Sequence, residues 1–152
     1  MDFQSPTTWQ ELKQIVDAGV LNELSVEYKR SVELTQLYES ERNTVSKEAA
    51  IQNIYTEINQ SCTTLPTGEE VALTNNKYPY DRLLQNLPGV THVLLWFKGS
   101  VSPETAKAYL RSLGKTCCLY ENPAALKSIP EISHYQVFLL NTPVSFALPT
   151  AA

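Results

Sequence analysis

Apolar residues recur at helical spacing through residues 1–60 and shift to strand-like runs from residue 91 onward. In "WQELKQIVDAG", Leu12, Ile15 and Val16 share one helical face. Thr8 with Glu11 makes a capping-box pattern ahead of them, and Gly19 supplies the stop. A second helix is expected from a Ser25 cap to about Arg42, burying Leu34, Leu37 and Tyr38. A third is expected after Ser46, where Ile51, Ile54, Tyr55 and Ile58 follow the i, i+3, i+4, i+7 stripe. From Ser61 to about Asn76 the periodicity is lost in a stretch rich in Thr, Asn, Pro and Gly, which reads as a long connection. Pro79 and Pro88 then bracket a short helical turn.

Beyond that turn the rhythm changes. "THVLLWF" (Thr91 to Phe97) reads as a strand, as do residues 116–120 and "HYQVFLL" (His134 to Leu140). Between the first two, Ser102 as N-cap, Pro103 at the first helical position and Gly114 as stop predict a helix over 103–113. Strand, helix, strand implies a crossover, right-handed if the strands pair in parallel. The expected fold class is α+β with an α/β-like C-terminal half: a small sheet of about three strands with a crossover helix, packed against an N-terminal helical region. The expected organisation is a single domain over 1–152. Its parts are a helical region (1–60), a loop-rich connection (61–90), a β-α-β-β region (91–141) and a tail (142–152).

Composition narrows the function classes. A chain of 152 residues buries a substantial core. Its net charge of −4 argues against a nucleic-acid partner, and its longest basic grouping is Lys29-Arg30. Three cysteines, Cys62, Cys117 and Cys118, form no disulfide framework. The adjacent pair would point to opposite faces of a strand, so a reducing compartment is expected. The N-terminus lacks the basic segment and apolar run of a signal peptide, and no apolar stretch approaches membrane-spanning length. The expected location is the cytoplasm, with no membrane partner. No cofactor is expected, and nothing in the pattern fixes an oligomeric state.

Candidate chemistry centres on two histidines. His92, Leu94 and Trp96 share one strand face, and His134 shares another with Gln136 and Phe138. If the two strands are neighbours the imidazoles approach, and such a pair can do general acid/base work near neutral pH. Alternatively each imidazole ties a loop carbonyl to a strand end. Asn122, held extended by Pro123, offers its amide either to a ligand or to its own turn. Ser128 lies in no G-x-S-x-G elbow, which argues against a nucleophile, and mid-strand thiols are normally inert. Tyr78, Tyr80 and Trp96 either stack on a sugar or a base, the acidic charge making nucleic acid the poorer choice, or fill the core. Two histidines with Glu121 lack the spacing of a metal site, so no metal is expected, and five glycines build no phosphate loop.

The segments "NKYPYDRLLQNLPGVTHVLLW" and "YENPAALKSIPEISHYQVFL" resemble the N-acetylglucosamine-induced protein family, whose domain carries the label domain of unknown function 3605. The matching positions are Asn76, Pro79, Tyr80, His92, Trp96, Asn122, Pro123, Leu126, Ser128, Pro130 and His134. The opening "TTWQELKQIVDAGVLNELSVEYKR" is also similar to the family's N-terminal helical pattern, while residues 43–75 depart from it. The family tends to carry a further histidine two residues after the position of His134, and here that position is Gln136. If a histidine pair works in the family, this chain has lost half of it there. The resemblance implies a fold and a candidate site rather than a reaction, and whether the chain is an enzyme stays open. The expected function is a small-molecule-binding domain, with Tyr80, His92, Trp96, Asn122, Ser128 and His134 around a pocket. Only the family's name suggests a sugar-related ligand. The alternative is a non-catalytic interaction domain in which the same residues are structural. A site would require His92, Asn122 and His134 to converge within about 10 Å around a solvent-reachable opening.

Overall fold

The computed structural model describes residues 3–44, 46–97, 100–121 and 133–140. Helix α1 spans Trp9–Asp17, with the Thr8 side chain accepting from the Glu11 amide and Gly19 in the left-handed region (φ 75°) just past its end. The expected second helix is interrupted. A short 3-10 turn, Val26–Tyr28, is followed by a break, and α2 spans Val32–Thr44. The reason lies in the backbone between them. The Lys29 carbonyl accepts from the amides of Arg82 and Leu83 (3.1 and 3.2 Å), and the Ser31 N–H donates to Asp81 Oδ1 (2.8 Å). Residues 29–31 are therefore tied to the segment at 81–83 instead of continuing a helix, and Ser31 rather than Ser25 caps α2 by accepting from the Leu34 amide. Leu37, expected in the core, is 54% exposed, while Leu34 and Tyr38 are half-buried. Helix α3 spans Lys47–Ser61 behind its Ser46 cap and presents Ile51, Ile54, Tyr55 and Ile58 to the sheet, as its stripe predicts.

The connection expected at 61–90 contains a β-hairpin. Strand β1 (Cys62–Thr64) pairs antiparallel with β2 (Glu70–Asn75). In the loop, the Gly68 amide donates to the Leu65 carbonyl (2.9 Å), with Gly68 at φ 99°, and the Leu65 amide donates to the Glu69 carbonyl (2.7 Å). This three-residue loop needs a left-handed residue at its end, and glycine adopts that conformation without strain.

The remaining elements follow the sequence expectation: β3 (Val90–Phe97), α4 (Pro103–Ser112), β4 (Thr116–Tyr120) and β5 (Ser133–Leu140). The sheet has five strands rather than about three, in the order β1-β2-β3-β5-β4, and every neighbouring pair is antiparallel. Strands β3 and β4 run parallel, but β5 lies between them. Helix α4 therefore makes the expected crossover between strands that do not pair. The fold is α+β.

Side-chain alternation divides the sheet into two faces. On one, Val93, Leu95 and Phe97 of β3 and Tyr135, Val137 and Leu139 of β5 pack with Ala106 and Leu110 of α4. On the other, α1 contributes Leu12 and Val16 beside Phe138 and Cys118, while Ile58 of α3 packs on Ala72 and Trp96. No helix among the described residues is long and apolar enough to cross a membrane.

Candidate functional site: a buried polar row on one face of the sheet

The buried polar or charged residues among those described are Lys29, His92, His134 and Gln136 (9, 3, 7 and 5% exposed). All four belong to the layer between the sheet and the N-terminal helices. Register explains the three on strands. Across β3 and β5, Trp96 stands opposite His134, Leu94 opposite Gln136 and His92 opposite Phe138. On that face His92 lies diagonally across from Gln136, and His134 stands two residues before Gln136 on β5, the approach that adjacency of the strands would produce.

The hydrogen bonds run in one direction. The Tyr80 backbone N–H donates to His92 Nδ1 (3.0 Å), so Nδ1 carries the lone pair and Nε2 the proton. Nε2–H then donates to Gln136 Oε1 (2.5 Å), which turns the Gln136 amide nitrogen toward His134 Nε2 (3.3 Å). Asn76 Nδ2 stands 3.3 Å from both nitrogens of His92. Tyr80 and Phe138 pack on the same imidazole at centroid distances of 4.4 and 4.7 Å. Burial holds the His92 pKa down to about 3, with the charge of Arg30 and the proximity of His134 adding to it against the raising effect of the Gln136 hydrogen bond. His92 is therefore neutral near pH 7 with both ring nitrogens engaged. Its geometry is that of a positioning residue.

Of the aromatic candidates Tyr80 and Trp96 are interior, and Tyr78 is half-buried beside Tyr38. Trp96 lies against His134 (centroids 4.5 Å), and its indole N–H donates to Thr74 Oγ1 (2.9 Å). Tyr80 is buried, its hydroxyl accepting from that of Tyr120 (3.0 Å), and burial followed by the influence of Tyr80 raises the Tyr120 pKa. Lys29 and Arg30 both reach over the Tyr80 ring.

A surface cleft of about 390 Å³ reaches the row at His92. Asn76, Asp81 and Thr91 supply its polar groups, and Leu84, Leu87 and Pro88 its apolar wall. The structure thus brings His92 and His134 together through Gln136 and places Tyr80 and Trp96 against them. Asn122 and Ser128 lie outside the described residues, as do Pro123, Leu126 and Pro130 of the motif. Among the described residues no group of three or more His, Cys, Asp or Glu side chains could hold a metal ion, and Glu121 is exposed. Sequence reasoning named Gln136, Lys29 and Arg30 but gave none of them a place in the site. The alternation of β5 carried a signal for Gln136, which shares the face of His134. Lys29 and Arg30 lie on a turn whose partner segment is about 50 residues away, and their sequence held no signal of burial.

No family model matches the chain, and no curated relative does. A solved structure is similar to it, the crystal structure of a protein called HTC1. The TM-score is 0.60 at 23% identity, over 88% of this chain and 85% of that one. At that identity the similarity establishes a shared fold, so the α+β arrangement found here is one that a second, experimentally solved protein also adopts.

Proposed function

We propose that this chain is a small-molecule-binding domain whose ligand enters the cleft beside His92, and that it belongs with the N-acetylglucosamine-induced proteins. The observation that carries the reading is the chain of hydrogen bonds from Tyr80 through His92 and Gln136 to His134, set in a layer whose other buried side chains are mostly apolar. Burying such groups has a desolvation cost, and the strand side chains buried on the opposite face carry no imidazole or amide. The row ends at His92, which lines the cleft and positions its neighbours there, next to the Asn76 amide, the Asp81 carboxylate and an apolar wall. That combination suits a polar, hydroxyl-bearing molecule such as a sugar derivative. The motif positions Asn76, Pro79, Tyr80, His92, Trp96 and His134 support the family. Three free cysteines support a reducing, cytoplasmic setting, and one continuous sheet supports a single domain.

The test is a thermal-shift screen over sugars, sugar phosphates, nucleotides and divalent metals, because a ligand of the native state raises its apparent stability. A sugar-class ligand is expected to raise Tm in the wild type, with the rise lost in Asn76→Ala at unchanged far-UV circular dichroism. No shift with any of these compounds overturns the reading. A second reading, a surface for a protein partner on the helical half, is favoured by Val32 and Leu37, which are 63 and 54% exposed on α2. Retention of a tagged wild-type chain's partner, lost on Val32→Asp with Leu37→Asp, is the outcome it expects.

A further inference from the structure

Lys29 and Arg30 occupy the break ahead of α2, and both lean on one aromatic ring. Lys29 Nζ is 5.5 Å from the Tyr80 centroid, and the Arg30 guanidinium carbon is 4.9 Å from it. The guanidinium also lies 5.2 Å from the Tyr38 centroid, and its Nε donates to the Tyr78 carbonyl (2.7 Å). Two rings and a carbonyl therefore fix its plane and use its Nε, which leaves the Nη edge to donate. Lys29 is buried, yet among the described residues neither cation forms an ion pair. The pairs present are Lys13–Asp17 and Lys77–Glu41, both at the surface.

Two adjacent cations of this kind repel each other. Burial, and then the charge of Arg30, hold the Lys29 pKa below the usual lysine range. Ring faces compensate in part, since a cation over an aromatic quadrupole is attracted to it. They supply no hydrogen-bond acceptor for the Lys29 ammonium or for the Arg30 Nη groups. A bound anion would supply both the acceptors and the opposite charge.

We propose that Lys29 and Arg30 together form a binding site for a phosphate-type oxyanion, with Arg30 donating through its fixed Nη edge and Lys29 acting as a point charge. The planar fork of guanidinium matches two phosphate oxygens, and an ammonium binds phosphate without directional demand. A doubly charged phosphate neutralises both cations, whereas a carboxylate neutralises one. The site goes beyond the cleft reading and does not rest on it, because none of its donors lines that cleft.

The experiment titrates inorganic phosphate into the wild-type chain against chloride at matched ionic strength, reading Tm and the ring signals of the tyrosines by NMR. A saturable rise in Tm specific to phosphate is expected, with Tyr38 and Tyr80 signals shifting in step with it. Lys29→Met and Arg30→Gln should each weaken the apparent affinity by about tenfold or more, the loss expected for one charge-assisted contact. The exposed control Lys115→Gln should leave it unchanged. A response equal to that of chloride or acetate overturns the proposal, as does an undiminished response in a folded Lys29→Met variant. The NMR readout on the wild type decides the matter even if either variant fails to fold, since saturating phosphate that leaves the Tyr38 and Tyr80 signals unmoved overturns it.

Discussion

The two faces of the sheet arise from the same strands, yet they are filled by different chemistry. Beneath α4, the buried β3 and β5 side chains are apolar apart from the hydroxyl of Tyr135, which donates to the Val101 carbonyl at 2.7 Å. Beneath α1 and α3, the alternate positions of the same two strands hold His92, Trp96, His134 and Gln136. The first face is held mainly by apolar burial and tolerates exchange of one apolar shape for another. On the second, the strand polar groups His92 and Gln136 depend on specific partners, because an unpaired one in that layer costs more than the pair gains. One sheet thus has a face that supplies stability and a face that fixes particular side chains in particular orientations.

The largest effect expected in testing this contrast is the loss of a large side chain from either face. Trp96→Ala should destabilise the chain by about 3–5 kcal/mol and Leu95→Ala, its neighbour on the opposite face, by about 2–5 kcal/mol, measured by urea denaturation. A midpoint near wild type for Trp96→Ala would show that the polar face contributes no core.

Gln136→Leu asks the sharper question. It adds apolar surface but strips the acceptor from His92 Nε2–H, so a loss of about 1–3 kcal/mol is expected. A neutral or stabilising result would erase the distinction between the faces.

Acid should separate them as well. His92 takes up a proton at a pH of about 6.5 in the unfolded chain but only at about 3 when folded. Within that window the unfolded state binds more protons, so the contribution is whole above 6.5 and is lost as pH falls toward 3. The slope reaches up to about 1.4 kcal/mol per pH unit. Denaturation series across the window should show His92→Phe falling less steeply than wild type, and equal slopes would mean that His92 does not titrate as its burial requires.

The smallest effect should be common to both sides. Thr8→Ala at α1 and Ser102→Ala at α4 each remove one cap hydrogen bond and should cost about 1 kcal/mol. Unequal losses would mean that the helix over one face depends on its cap more than the other does.

The elements whose cause is local were determined by the chain itself. Helices α1, α3 and α4 carry their own caps and stripes, and β3, β4 and β5 carry apolar runs between turn residues, so the sequence alone places them to within a residue or two. Even the missed hairpin was written locally, in the glycine that "LPTGEE" sets at its left-handed position. The face shared by His134 and Gln136 was legible too, because alternation along one strand needs no partner. Tertiary structure decided the rest. The break at Lys29–Ser31 exists because the Asp81 carboxylate and the backbone amides of Arg82 and Leu83, remote in the chain, take the hydrogen bonds a helix would have used. The insertion of β5 between β3 and β4 set His92 diagonal to Gln136 and so turned two separate histidines into one row. Periodicity records which way a side chain points, whereas the partner it meets there depends on strand order and on contacts between segments far apart in sequence.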